Sequence, residues 1–194
     1  MKKMIIFALI MAISVATPIQ TMAESVAQSG TEIQPSEQNI EQIIDEITSE
    51  PHPINSDAIQ NVKEYIIKYF GDLGYDEIEC QKFEYNDENN ENAIRRSSQA
   101  DIFLAPTAEN ATVDGTGENI IVTKKSCTDT TKNLIISAHY DSAEDSVGAN
   151  DNGSGVAAVL ELARILKDTE MHYNIKFILF AGEEKYMLGS RWYV

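Results

Sequence analysis

The stretch that decides the fold spans residues 134–155 and reads LIISAHYDSAEDSVGANDNGSG. Its start, residues 134–138, predicts a buried strand that is apolar on both faces. Residues 154–166 are rich in Val, Ala and Leu and predict a helix, and residues 175–181 predict a further buried strand. A strand, a helix and a strand in this order indicate a parallel pair joined by a right-handed crossover, so the sequence predicts an α/β fold.

Polar residues follow both of these strands. His139 ends the first strand, and Glu183 and Glu184 follow the second. Because the carboxyl ends of parallel strands meet at one edge of a sheet, we expect these side chains to lie on the same rim. Asp151 lies in the connection that leaves this rim, just before the helix, where the helix N-terminus favours an ionised carboxylate.

An imidazole among carboxylates is typical of a zinc site, and one Asp carboxylate can bridge two metal ions. The two glutamates can then divide the work, with one binding the metal and the other acting as general base. Asp141, two residues after His139, is placed to accept the hydrogen of the imidazole. Taken singly, such residues are more often structural histidines, helix caps or solvated charges, so their joint occurrence carries the prediction.

Three blocks together resemble the M28 family of zinc aminopeptidases: ISAHYDS at 136–142, GANDNGSG at 148–155 and FAGEE at 180–184. The similarity is close over 119–194 and looser around His52. It implies a mixed, mainly parallel sheet flanked by helices on both faces. It also implies two zinc ions and peptide substrates with a free N-terminus, although a few relatives trim carboxyl ends or cyclise N-terminal glutamine.

The resemblance also implies a role for each residue of the site. His139 would bind one zinc ion, Asp151 would bridge both and Glu184 would bind the other. Glu183 would be the general base, and Asp141 would orient His139.

The chain departs from the family pattern at two points. Tyr186 stands where members often carry Gly, and the family takes one further Asp and one further His from segments that follow the FAGEE block. We therefore expect a catalytic domain that is incomplete at its C-terminus, either as a fragment of a longer product or as a truncated protein.

The first residues are typical of a secretory signal peptide. Lys2 and Lys3 precede a mostly apolar run, and residues 21–23 suit cleavage after Ala23. The apolar run is short and interrupted, whereas a spanning helix needs about 20 apolar residues, so we expect secretion rather than a stable membrane anchor. Residues 24–36 form a polar leader, and 37–194 are predicted to form the peptidase-like domain.

Before the crossover unit, the pattern predicts two helices and several strands. One helix starts at Glu37 and ends before Pro51; the other follows a Ser56 cap and ends at Gly71 or Gly74. Strands are predicted over 78–85 and 120–122, and a solvated loop over 86–98.

Composition limits the kinds of function. The formal net charge is −16, and removal of residues 1–23, which hold two lysines and no acid, makes it −18. Such an acidic chain repels phosphate backbones, so nucleic-acid binding is not expected. Cys80 and Cys127 could form one disulfide or remain two free thiols.

Two functions of different classes fit these observations. The first is a secreted zinc exopeptidase of aminopeptidase type that is inactive as 194 residues. The alternative is a non-catalytic, secreted, acidic binding module that retains half of the peptidase scaffold.

Overall fold

The computed structural model of the protein describes residues 34–86 and 114–194, and residues 35–194 form one compact unit. The predicted signal peptide, nearly all of the leader and nearly all of the predicted 86–98 loop lie outside the described residues. In the described ranges, no helix is long and apolar enough to cross a membrane.

Two capped helices open the described part of the chain. Helix α1 spans Glu37–Ile47, and Ser36 Oγ accepts the N–H of Asn39 at 3.2 Å. Helix α2 spans Asp57–Asp72, and Ser56 Oγ accepts the N–H of Ile59 at 3.1 Å. These bonds satisfy N–H groups that have no partner within a first helical turn. Both helices predicted from the sequence are confirmed.

The sheet has four strands in the order β1-β2-β4-β3. Strand β1 spans Ile78–Tyr85, β2 Gly115–Lys124, β3 Asn133–His139 and β4 Asn174–Phe180. Strands β3 and β4 are parallel and joined by helix α3, Ser154–Leu166, which confirms the predicted crossover unit. The pairings β1–β2 and β2–β4 are antiparallel, so the sheet is mixed.

The prediction that the first strand of the crossover unit is buried on both faces is wrong. Leu134 is 44% exposed and Ile135 is 50% exposed. The reason is the strand order, because β4 lies between β2 and β3 and leaves β3 at an edge of the described sheet. Strand β4 is the buried strand, and Ile175, Phe177 and Ile178 are fully inaccessible to solvent.

Helices lie on both faces of the sheet. On one face, the rings of Phe70 on α2 and Phe177 on β4 lie 5.8 Å apart, and α3 packs against β3 and β4. The other face contacts helix α4, Leu188–Tyr193, where the ring of Tyr193 lies 5.9 Å from that of Phe180. A mixed sheet with helices on both faces agrees with the predicted fold class, but the described sheet is not mainly parallel, because two of its three strand pairings are antiparallel.

A buried carboxylate joins α1 to α3. Glu161 on α3 is 3% exposed and accepts hydrogen bonds from the backbone N–H of Ser36 at 2.6 Å and from Asn39 Nδ2 at 2.6 Å. Arg164 donates to both carboxylate oxygens, at 2.8 and 2.7 Å. The Arg164 guanidinium is the main reason that the pKa of Glu161 falls to about 2, so the group is ionised at neutral pH.

Both cysteines are free thiols. Cys80 and Cys127 are exposed and are not joined in a disulfide. Of the two alternatives left open by the sequence, the structure therefore has the free thiols.

Candidate metal centre

His139 lies at the carboxyl end of β3 and is 8% exposed. Its Nδ1 is 3.1 Å from the backbone carbonyl oxygen of Asp141, which can only accept a hydrogen bond, so Nδ1 carries a hydrogen. Nε2 faces two carboxylates, at 3.0 Å from Asp151 Oδ1 and 3.8 Å from Glu183 Oε2. A carbonyl oxygen that fixes one ring nitrogen and leaves the other facing carboxylates is an arrangement typical of metal-binding histidines.

The charge around His139 favours a cation. Burial alone would lower the pKa of the imidazole, but the carboxylates of Asp141, Asp151 and Glu183 outweigh burial and raise the pKa to about 9. The ring therefore holds a second proton at neutral pH when no metal ion competes for Nε2. The same negative surroundings would stabilise a divalent cation.

Asp141 connects the end of β3 to the loop after β4. Its side chain is fully buried, and its two carboxylate oxygens accept the backbone N–H groups of Glu183 at 3.1 Å and Glu184 at 3.2 Å. Asp141 Oδ1 also lies 3.6 Å from Nδ1 of His139. The parallel register pairs His139 with Phe180, which brings the residues after both strands to one rim. One buried carboxylate thus touches His139 and both glutamates.

Asp151 lies in a kinked turn, Ala149–Gly153, that leads into α3, and its own backbone is not helical, with φ −119° and ψ 95°. Its side chain is 77% exposed, and the peptide bond that follows it is cis. Gly148 precedes the turn with φ +66°, and a Cβ there would lie 2.9 Å from the carbonyl oxygen of Asp151. Glycine is therefore needed at 148 for the backbone path that brings Asp151 to His139.

Glu183 and Glu184 follow β4 and differ in their surroundings. Burial first, and then the charge of Asp151, raises the pKa of Glu184. The Glu183 side chain is 41% exposed and lies beside His139. The loop turns through Tyr186 and Met187, with φ values of 67° and 58°. Tyr186, where the resemblance leads us to expect Gly, thus has a left-handed backbone that favours glycine.

The structure brings His139, Asp151 and Glu183 together, with Asp141 beneath them and Glu184 beside them. Among residues 34–86 and 114–194, no group of three or more His, Cys, Asp or Glu side chains is already arranged to hold a metal ion. The chemistry of these side chains nevertheless fits zinc. The Asp141 carbonyl fixes Nδ1 of His139, so Nε2 is left to face carboxylate oxygens, and zinc binds both kinds of atom. The residues therefore suit a zinc ion.

Two other residues support the rim and were not singled out from the sequence. Ser142 Oγ accepts the backbone N–H of His52 at 2.8 Å, and the Ser142 N–H returns a bond to His52 O at 3.3 Å. Asn119 on β2 is fully buried and bonds to both ends of the Glu183–Glu184 loop. A polar Asn before the apolar run Ile-Ile-Val was the available signal.

Comparison with known proteins gives a specific match. Residues 119–194 match the family described as Peptidase family M28. An aminopeptidase from Bacillus subtilis, YwaD, is 35% identical over 137 residues, which is 70% of this chain and 29% of that protein. A vacuolar membrane protease from Schizosaccharomyces japonicus is 32% identical over 145 residues, which is 75% of this chain and 16% of that protein. The chain thus spans less than a third of the length of these curated relatives.

Solved structures give the same fold. A zinc aminopeptidase from Bacillus subtilis has a TM-score of 0.66 at 19% identity, over 84% of this chain and 65% of that chain. A glutaminyl cyclase from Fimbriiglobus ruber has a TM-score of 0.59 at 20% identity, over 79% of this chain and 48% of that chain. At this identity the two similarities show the fold alone.

Proposed function

We propose that this chain, whose residues 119–194 belong to peptidase family M28, carries part of the active site of a zinc-dependent exopeptidase that removes N-terminal residues from peptides. The observation that carries the proposal is His139. Its Nδ1 is fixed by the Asp141 carbonyl at 3.1 Å, while Nε2 faces Asp151 and Glu183 at 3.0 and 3.8 Å. The aminopeptidase YwaD, 35% identical in sequence, supports the activity class.

The proposed metal ligands are His139, Asp151 and Glu184, with Asp151 shared between two ions. When bound, zinc polarises the scissile carbonyl and lowers the pKa of a water molecule to about 7. The side chain of Asp151 suits a shared ligand, because it is 77% exposed while its Oδ1 faces His139 Nε2. His139 must lose its second proton to bind zinc. Because its pKa is about 9, this proton competes with zinc at neutral pH and weakens zinc binding.

Glu183 is the proposed general base. It would take a proton from the attacking water and deliver it to the leaving amine. Its half-exposed carboxylate, 3.8 Å from His139 Nε2, supports this role because it reaches both the metal-binding nitrogen and solvent. Asp141 keeps the glutamate pair in place through the two backbone N–H groups, so it acts as a positioning residue.

We propose further that the 194 residues alone do not turn over substrate. The resemblance calls for an Asp and a His as two further ligands, and no metal-ready cluster of three or more His, Cys, Asp or Glu side chains occurs in the described residues. The chain should therefore hydrolyse aminoacyl-anilides no faster than its Glu183→Ala variant. Turnover that zinc restores after chelation, and that Glu183→Ala lacks, would contradict this part of the proposal.

Zinc binding tests the site itself. Isothermal titration of the full chain with zinc should show binding that His139→Ala abolishes and that His172→Ala leaves unchanged, because the exposed His172 lies by Cys127 and away from the rim. Equal zinc affinity in all three proteins would refute the site. That outcome would favour the non-catalytic binding module, a reading that rests on charge and scaffold alone.

Secretion is also part of the proposal, and the pattern of residues 1–23 supports it. The Schizosaccharomyces japonicus relative is named a vacuolar membrane protease, so a membrane-attached form is the competing outcome. Mass spectrometry of the protein exported by an expressing cell should find an N-terminus at Glu24. Intact Met1 in the membrane fraction would argue for anchoring.

A further inference from the structure

We propose that Asn119 is a positioning residue that fixes the Glu183–Glu184 loop, which runs from Ala181 to Gly189 in the first turn of α4, by joining its two ends. This inference rests on the proposed function, because it concerns the same glutamates. Asn119 lies on β2, outside the three sequence blocks that contain His139, Asp151 and Glu184. It is 0% exposed and therefore has no access to substrate or solvent.

The bonds of Asn119 start where the sheet ends. The ladder between β2 and β4 stops at the pair Ile120 and Leu179. One residue further, the Asn119 side chain takes over, and its Oδ1 accepts the backbone N–H of Ala181 at 3.2 Å. The side chain thus continues a strand pairing that the backbone no longer makes.

The amide nitrogen of Asn119 holds the other end of the loop. Nδ2 donates to the carbonyl oxygen of Gly189 at 2.8 Å and to Gln81 Oε1 at 2.9 Å. A Cβ at Gly189 would lie 2.2 Å from Asn119 Oδ1, so this approach requires glycine at 189. The amide group therefore has partners on both oxygen and nitrogen, as a buried side chain requires.

The loop is also closed on itself between these ends. Gly189 N–H donates to Ala181 O at 2.9 Å, and Leu188 N–H donates to Gly182 O at 2.8 Å. Asp141 then holds the middle of the loop through the N–H groups of Glu183 and Glu184. Asn119 on β2 and Asp141, two residues after the end of β3, thus hold the loop from two different segments.

A role of Asn119 in positioning the loop and a role in stabilising the core predict different effects of its loss. If Asn119 only stabilised the core, its loss would act like the loss of any buried side chain of β2. If it fixes the loop, its loss leaves the N–H of Ala181 and the carbonyl of Gly189 without a buried partner, and the effect is concentrated at the glutamates. Val122, also 0% exposed and on β2, provides the matched control, because three residues along a strand place it on the opposite face.

The test compares Asn119→Ser with Val122→Ala in the full chain. We expect the amides of Glu183 and Glu184 to exchange hydrogen about tenfold faster in Asn119→Ser than in Val122→Ala at matched global stability, as expected for the loss of a hydrogen bond to a buried group. We also expect the zinc affinity of Asn119→Ser to be about tenfold lower than that of Val122→Ala. Equal exchange and equal zinc affinity in the two variants would overturn the proposal.

Two further results keep the inference testable. If Asn119→Ser does not fold, exchange in the unmodified chain decides: the amides of Ala181, Leu188 and Gly189 should open together, and a spread of about tenfold or more in their opening would overturn the closed loop. If the unmodified chain binds no zinc, the proposed function fails, whereas the exchange comparison still decides whether Asn119 fixes the loop.

Discussion

Replacement of Asp141 by Asn tests the rim directly. In Asp141→Asn the remaining oxygen can still accept one N–H group. The other oxygen is replaced by the amide NH2 group, which cannot accept the second N–H group. The lost bond joins a carboxylate to the N–H of Glu183 or Glu184, both within 3.2 Å. A hydrogen bond to a charged group contributes about 1.5–3 kcal/mol, and the orphaned N–H adds a penalty, so we expect a loss of about 2–4 kcal/mol in the free energy of unfolding.

The same substitution should change the titration of His139. Without the Asp141 charge, the pKa of His139 should fall from about 9 towards its usual 6.5. It should stay above 6.5, because Asp151 and Glu183 remain. A histidine with a raised pKa stabilises the fold fully below pH 6.5, and this contribution is lost as the pH rises through about 9. In zinc-free buffer, the unmodified chain should therefore lose stability over this interval, and Asp141→Asn should lose less.

Urea unfolding from pH 6 to 10, together with an NMR titration of the histidine rings, measures both effects. Asp145→Asn is the control, because Asp145 is an exposed residue of the following loop and its loss should change stability by less than about 0.5 kcal/mol. If Asp141→Asn is as stable as the control and leaves the His139 titration unchanged, then Asp141 does not hold the rim.

Three other predictions concern Glu161, Tyr186 and Ile135. Glu161→Gln should lower the free energy of unfolding by about 3 kcal/mol at pH 7, because the Glu161 pKa of about 2 lies about 2.5 units below the ordinary value for Glu. Since the pKa is lowered on folding, the difference in unfolding free energy between the unmodified chain and Glu161→Gln should vanish in urea titrations as the pH falls from about 4.5 to 2. A difference that stays constant over this range would exclude the charge of Glu161 as its cause. Tyr186→Gly should raise the melting temperature, because the left-handed φ of 67° destabilises a residue with a side chain by about 1–2 kcal/mol. This exceeds the stability lost through the entropy that Gly adds to the unfolded chain. Tyr173→Gly is the control and should lower the melting temperature. The exposed edge of β3 is expected to promote self-association and the binding of hydrophobic dyes, and Ile135→Lys should reduce both in sedimentation and fluorescence assays. Unchanged self-association would exclude this edge as its cause.

The sequence predicted the elements whose signals are local. Ser36 and Ser56 precede helical apolar spacing and do cap helices α1 and α2. The strand, helix and strand of the crossover unit have compositions that differ within a few residues, so their bounds were predictable within one residue. The meeting of His139 with Asp151 and Glu183 follows from the parallel pairing rather than from any single motif.

What the sequence did not predict depends on contacts between distant segments. The exposure of Leu134 and Ile135 depends on which strand occupies the centre of the sheet, and both β3 and β4 have apolar patterns that suit the central place. The polar Asn119 before an apolar run was a signal, but its role could not be predicted, because its partners at Ala181 and Gly189 are far away in sequence. Asp141 contacts the backbone of the glutamates, and no residue identity in the sequence marks backbone partners.

The parallel pairing of β3 and β4 has a consequence for when the site exists. A parallel neighbour can join only after the chain has crossed the sheet through α3, so the contacts of His139 with the glutamate loop belong to the slow, nonlocal part of folding. Helices α1 and α2 can each form earlier from local contacts. We therefore expect metal affinity to be acquired in the last kinetic phase of refolding. A nascent or partly unfolded chain would then be unable to bind zinc at the rim, even where its helices are already formed.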